Sequence, residues 1–311
     1  MFKRIVLFVL TPVLVILGAL GLYLRDPAPL DTESFNALYT SPAPAPEGQR
    51  QVFHIGHSLV GRNMPAMLAQ LAGEGHGYAS QLGWGATLKS HWDPDEPING
   101  FETENSHPAY RDAHEAVESG EYDALILTEM VEIKDAIRYF DSPIHLGNWA
   151  GKAAANNLSV YLYETWHQLD DEEGWLNRID RDRALYWEDG IMRPALARIE
   201  NPQPIYVIPG GQVMAAFSRH LEQHGPIGPL STHNDLFIDK IHYNDYGAYL
   251  MALTHYAVLY QRSPVGLPHQ MRRANGSSAD DVGAEVAEAM QHVVWEVVTS
   301  SPMTGVAAPG G

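Results

Sequence analysis

Ser58, Asp239 and His242 are the residues of this 311-residue chain whose types and settings could together carry nucleophilic chemistry. Gly56-His57-Ser58-Leu59 closes a short apolar run, QVFHIG. A serine at such a strand-to-helix turn puts its hydroxyl at a sheet edge, near a helix N-terminus. Asp239-Lys240-Ile241-His242 stands just before a helical pattern. An aspartate three residues ahead of a histidine on a turn can orient the imidazole. Gly83-Trp84-Gly85-Ala86-Thr87 follows a second, weaker run, and its glycines let backbone N–H groups face a ligand closely. Each feature also has a plainer reading. Ser58 alone would cap a helix, and His242 alone would be a satisfied surface or core histidine. Asp235, in STHND, competes with Asp239 as the orienter.

These residues need a scaffold, and the hydropathy pattern supplies one. Strand candidates are QVFHIG from Gln51, HGYASQLG, YDALILTE, LSVYLYE and PIYVIPGG. YDALILTE is a continuous apolar run of the kind buried on both faces of a parallel sheet. Helical spacing covers NMPAMLAQLAG, AYRDAHEAVESG, Ile137 to Asn156, Asp180 to Glu200 with a kink at Pro194, Val213 to Gln223 and Asp245 to Gln261. Alternation at this spacing predicts an α/β fold, a parallel sheet with right-handed crossovers. Ligands bind such sheets outside the carboxyl ends of the strands, which is where the three features fall. A last helix is expected after Ser278 as N-cap. Its apolar stripe runs Val282, Val286, Ala289, Met290, Val293 and Val297, and a frayed tail follows Pro302.

Composition excludes whole classes of function. Twenty basic against 38 acidic residues leave a formal net charge of −18. That balance argues against nucleic acid, which needs clustered cations, and against strongly anionic substrates. The chain has no cysteine, so disulfides, thiolate zinc sites and cysteine nucleophiles are absent. Ile5 to Leu24 is uncharged and about long enough for a helix to cross a bilayer. Lys3 and Arg4 before it favour a cytoplasmic start and an exported remainder. A cleaved signal peptide is the alternative; the long apolar run favours an uncleaved anchor. The expected organisation is therefore a start and transmembrane anchor over 1–26, a Pro-rich linker over 27–50, a catalytic domain over 51–270, and a C-terminal helix and flexible tail over 271–311. Within the linker, Phe35 to Tyr39 could dock as a short helix.

The order of the three motifs resembles that of the SGNH (GDSL-like) hydrolases, over roughly Gln51 to Gln261. HIGHSL is similar to the family's first block, with His57 where aspartate is commoner. LGWGAT resembles the second block, and DKIHYNDYG the last. The resemblance implies a flavodoxin-like three-layer α/β/α fold with a parallel sheet of about five strands. It implies Ser58 as nucleophile, His242 as base and Asp239 as orienter, favoured over Asp235 by its spacing. It implies an oxyanion hole from the backbone of Ser58 and Gly85, and no cofactor or metal. The third block departs: Thr128-Glu129-Met130 stands where Gly-x-Asn-Asp is usual. Thr128 could donate weakly to the oxyanion. An ionised Glu129 could not donate, and would bind substrate hydroxyls or a backbone N–H, or be structural. Trp84, Trp92 and Trp166 suit either sugar rings or core packing.

The implied activity is hydrolysis of a short-chain, acetyl, ester on an envelope carbohydrate, at the exported face of the cell membrane. An O-acetyltransferase with the same triad and a non-catalytic carbohydrate-binding protein on this scaffold are the rivals. A metal reading of His220 and His224, at i and i+4, lacks the glutamate that a zincin helix carries. His54 and His57 lack a third ligand, and His54 reads as a strand residue.

Overall fold

The computed structural model describes residues 26–307. Five parallel strands form one sheet: β1 (Gln51–His57), β2 (Gly77–Gly83), β3 (Ala124–Leu127), β4 (Ser159–Glu164) and β5 (Ile205–Pro209). Their order is β2-β1-β3-β4-β5, the doubly wound order of flavodoxin type. All five expected strands form, including the weak HGYASQLG run. Its backbone pairs along the whole of β1, from Gln51 opposite Gly77 to His57 opposite Gly83.

Helices cover both faces, because alternate side chains of each strand point to opposite sides. Val52, Ile126, Tyr161, Tyr163 and Ile208 face one core. That core packs under the helices Asn63–Ala72, Gly210–His224, Asp245–Tyr260 and Ala284–Ser300. Phe53, Ile55, Leu125, Leu127, Val160 and Leu162 face the other, against Ala113–Glu118, Ile133–Tyr139 and Ser142–Ala155. The Asp245–Tyr260 helix is buried nearly all round, so its sequence has no polar stripe.

Several boundaries differ from expectation. The Ile137–Asn156 helix is two helices, broken at Asp141, which takes a left-handed φ of 52°. Pro143 lacks the N–H that a continuous helix would need there. The Asp180–Glu200 helix starts earlier, at Trp175, and widens to π-helical turns over Arg183–Met192. It returns to α just before Pro194. The last helix starts at Ala284 rather than after Ser278. Ser278 instead bridges Arg272 as a short antiparallel pair, and Gly283, at φ 76°, precedes the helix.

The ends of the domain are also more ordered than expected. The segment over 27–50 is not a free tether. Asp31 caps a helix over Thr32–Ala37, Phe35 and Tyr39 are buried, and the Tyr39 hydroxyl donates to the Ile205 carbonyl at 2.9 Å. Nor does the chain fray between Pro302 and Val306. Met303, Thr304 and Val306 are buried, and Ala43 N–H donates to the Gly305 carbonyl at 2.8 Å. The two segments therefore cover one another along the β5 edge. The expected membrane helix, Ile5 to Leu24, lies outside the described residues. No described helix is long and apolar enough to cross a membrane.

Candidate active site

β1 ends at His57 and the chain turns at once into the Asn63–Ala72 helix. The N–H groups of Val60 and Gly61 both bond to the His57 carbonyl, at 2.9 and 3.3 Å, and Gly61 adopts a φ of 56°. Gly56 admits no side chain, since a Cβ there would stand 2.7 Å from the Thr128 Cβ. Ser58 is thereby lifted half-exposed at the carboxyl end of the sheet. The loop before Asp245 comes to it from the far end of the sequence. His242 Nε2 lies 2.9 Å from Ser58 Oγ, and His242 Nδ1 lies 2.8 Å from Asp239 Oδ2.

The protons follow from the partners. An ionised carboxylate only accepts, so Nδ1–H donates to Asp239 and Nε2 is left to accept from the Ser58 hydroxyl. The other oxygen of Asp239, Oδ1, accepts from the N–H groups of Ile241 and His242, at 2.8 and 2.7 Å. Desolvation pushes the Asp239 carboxyl up. The hydrogen bonds from the His242 backbone and ring and from Ile241 outweigh it and hold the group at about 2. Asp239 is thus a fixed anion on an exposed turn, its side chain 51% exposed and that of His242 39%.

Gly85 lies two residues beyond Gly83, which is the register partner of His57 on the neighbouring strand. Adjacent strands are about 4.8 Å apart, so the turns that carry Ser58 and Gly85 leave neighbouring strands at the same end of the sheet. Gly85 takes a φ of 57° with open space where a side chain would be. Among the described residues, the N–H groups of Ser58 and Gly85 donate to no protein acceptor. Two unengaged backbone donors beside a nucleophile are what a developing oxyanion requires.

Residues outside the triad hold this geometry. His57 accepts the Leu59 N–H at Nδ1, 3.3 Å, so Nε2–H donates to the Glu129 carbonyl at 2.8 Å. Burial lowers the His57 ring to about 4, against the contact with Glu129, so the ring is a neutral pin between β1 and β3. His91, on the helix after the glycine turn, donates from Nε2 to the Gly56 carbonyl at 2.9 Å. Its Nδ1 accepts from Gln81. Tyr243 donates its hydroxyl to the Val60 carbonyl at 2.8 Å, tying the histidine loop to the serine turn.

Three sequence assignments change. Thr128 is wholly buried against Gly56 with its hydroxyl unpartnered, so it is not on the surface that a substrate reaches. Glu129 is also wholly buried. It accepts from Met130 N–H at 2.8 Å, Leu88 N–H at 3.2 Å and the Ser142 hydroxyl at 2.5 Å. Its carboxyl is pushed up to about 7 by burial, against those hydrogen bonds. It binds the backbone of the glycine turn's helix, not substrate. Trp166 is buried and donates to the Ile241 carbonyl at 3.0 Å, under Phe237 and Tyr243, so it supports the histidine loop from below. Asp235 is occupied by the Ser231 and Thr232 N–H groups and is not an orienter.

Trp84 alone of the three tryptophans faces outward. It is 54% exposed, lies on Gly100, and is fixed by a 2.8 Å bond from Nε1 to Glu104. Trp92 packs edge-on against Trp149, inside the fold. His220 and His224 stack on one another at a helix end, 4.3 Å between ring centres. Among the described residues, no three histidines or carboxylates are grouped to hold a metal.

No family model matches the chain, and no curated protein matches it. Among solved structures it is similar to a DUF4886 family protein from Bacteroides uniformis. The two share 15% identity over 80% of this chain and 95% of the other, with a TM-score of 0.48.

Proposed function

We propose that the protein is a serine esterase of SGNH (GDSL-like) type that removes a short acyl group, acetyl, from an envelope carbohydrate. The observation that carries the reading is the unbroken hydrogen-bonded chain from Ser58 Oγ through His242 to Asp239, 2.9 and 2.8 Å, beside two unengaged backbone donors. Ser58 Oγ bonds to the ester carbonyl carbon while His242 Nε2 takes its proton. The N–H groups of Ser58 and Gly85 hold the oxyanion; one such donor is worth about 3–4 kcal/mol. The carbon–oxygen bond to the alcohol then breaks, and His242 gives that alcohol the proton. Water repeats the sequence on the acyl-serine, with His242 as base, and the acid leaves as Ser58 Oγ regains a proton.

Trp84 offers a flat apolar face near the glycine turn, suited to a sugar ring. The test is turnover of 4-nitrophenyl acetate, its longer-chain homologues and acetylated polysaccharides by the full chain in detergent. Ser58→Ala should fold normally and lose at least 10³-fold in rate. Turnover that survives in Ser58→Ala ends the reading. Acetyl found on added sugar instead of as free acetate would favour the transferase.

The same reading puts the domain outside the cytoplasm, anchored by Ile5 to Leu24. The start of the domain supports a close attachment. Asp26 pairs with Arg198 at 2.7 Å, Leu30 bonds to the Arg193 carbonyl, and Tyr39 bonds to Ile205 at the amino end of β5. The described chain meets the domain on the side of the strands' amino ends, opposite the triad; on this reading, an anchor over Ile5 to Leu24 would leave Ser58 facing away from the bilayer. A reporter fused after Gly311 should be exported and stay with membranes through a salt wash. A soluble mature form would mean a cleaved signal, and a cytoplasmic reporter would sink the envelope substrate.

A further inference from the structure

A cavity of about 170 Å³ lies away from the triad, beside the β4–β5 edge of the sheet. Leu162, Trp187, Val207, Val297 and Met303 supply its apolar lining. Glu164, the last residue of β4, lines it too. Three features set this cavity apart. Trp187 belongs to the π-helical stretch Arg183–Met192, and such turns are frequent at functional sites. Glu164 is only 2% exposed, yet among the described residues it has no ion-pair partner. It accepts at the amino end of the Gly210–His224 helix, from Gln212 at 3.2 Å from the N–H and 3.3 Å from the side-chain amide, with the Gly211 backbone beside it. The two arginines at the cavity are engaged elsewhere: Arg183 with Glu188 at 3.2 Å and Ser301 at 3.3 Å, Arg219 with Asp180 at 2.5 Å.

A buried carboxylate is costly unless it is paired and well hydrogen-bonded. Burial accordingly pushes the Glu164 carboxyl up to about 7, against the Gln212 hydrogen bonds, the charge of Arg183 and the Gly211 backbone. An empty apolar cavity of roughly 150 Å³ holds one benzene-sized ring. Here the lining is mixed: apolar side chains, the ion-paired Arg183, Glu188 and Arg219, and one carboxyl without an ion-pair partner, within a chain of net charge −18 that draws cations.

We propose that this cavity is a binding site for a small organic ammonium ion with one ring or a short branched alkyl body. The ammonium group would donate to Glu164, and the body would pack between Trp187, Val207 and Met303. The site is independent of the esterase reading, since none of these residues touches the triad.

Benzylamine is the probe, titrated into the full chain in detergent by calorimetry and by tryptophan fluorescence. Benzyl alcohol and benzoate are the neutral and anionic isosteres. Benzylamine should bind one to one, at least tenfold tighter than benzyl alcohol, with benzoate weakest. Ser58→Ala should bind it unchanged. Glu164→Gln, nearly isosteric, should erase the preference for the amine. Val207→Phe fills the cavity from the sheet, leaves Glu164 in place, and should abolish binding of both amine and alcohol. No saturable binding, benzoate binding as well as benzylamine, or an amine preference that persists in Glu164→Gln would each overturn the proposal. So would benzylamine binding that persists in Val207→Phe.

Discussion

Asp239 and Asp235 stand four residues apart on one loop and do different work. Asp239 gives one oxygen to the His242 ring and the other to two backbone N–H groups. Asp235 gives one oxygen to Ser231 and Thr232 and so holds the turn on which the loop starts. Asp239→Ala should therefore lower kcat for an acetyl ester by about 10³–10⁴-fold, as loss of a triad carboxylate typically does. Asp235→Ala should leave kcat within a few-fold and cost about 1 kcal/mol of stability, the usual effect of a lost cap. Steady-state kinetics beside urea unfolding separates the two, and equal losses of kcat would mean that the loop, not the carboxylate, is what matters. Nothing in the residue types distinguishes these aspartates. The three-residue spacing to His242 does, because it lets one side chain reach both the ring and the backbone of the same turn.

At the scale of elements, the site was legible where its geometry is local and opaque where it depends on strand order. Ser58, Gly85, Asp239 and His242 each sit on a turn whose glycine or spacing marks it in the chain. The pins do not. His57 reaches Glu129 only because β1 lies beside β3, and His91 reaches Gly56 only because β2 lies on the other side of β1. Trp166 read equally as a sugar surface or as core packing because it follows a strand; Phe237 and Tyr243 close over it. Helix ends failed for a similar reason. Ser278 has the chemistry of a cap, but the Arg273 guanidinium holds the Ser278 carbonyl at 2.7 Å and Asp245 at 2.5 Å, which keeps the segment around Ser278 out of a helix. Tyr243 gives the test at this scale. Tyr243→Phe removes its bond to Val60 and should cost about 1 kcal/mol. Because that bond ties the histidine loop to the serine turn, kcat should fall about tenfold while KM stays. A variant with lost stability and unchanged kcat would make Tyr243 a packing residue only.

For the whole molecule, the strongest prediction comes from how many ionisable groups the two cores keep uncharged. Burial lowers the rings of His57, His76, His91 and His255 from 6.5 to about 4. The native state then binds fewer protons than the unfolded chain between those values, so these four rings withdraw stability as pH falls from about 6.5 towards 4. Glu129 and Glu164 act in the opposite sense. Burial raises both from 4.5 to about 7, so they stabilise at low pH and withdraw that contribution as pH rises from 4.5 through 7. The displacements are equal, 6.5 − 4 against 7 − 4.5, so four rings outweigh two carboxyls. His54, unpartnered at both nitrogens and held well below its ordinary value by burial, adds to the same side. The urea midpoint should therefore fall between pH 7 and pH 5 at constant 0.15 M ionic strength, which about 8 Å of screening keeps from being a net-charge effect. His255→Leu should shrink that fall, since its Nε2 has no partner to lose and its Nδ1 bonds only the Met251 carbonyl of its own helix. A midpoint that holds steady or rises on acidification would mean that the buried rings are reached by water in the native state, and that the core beneath β1 is not as dry as its packing requires.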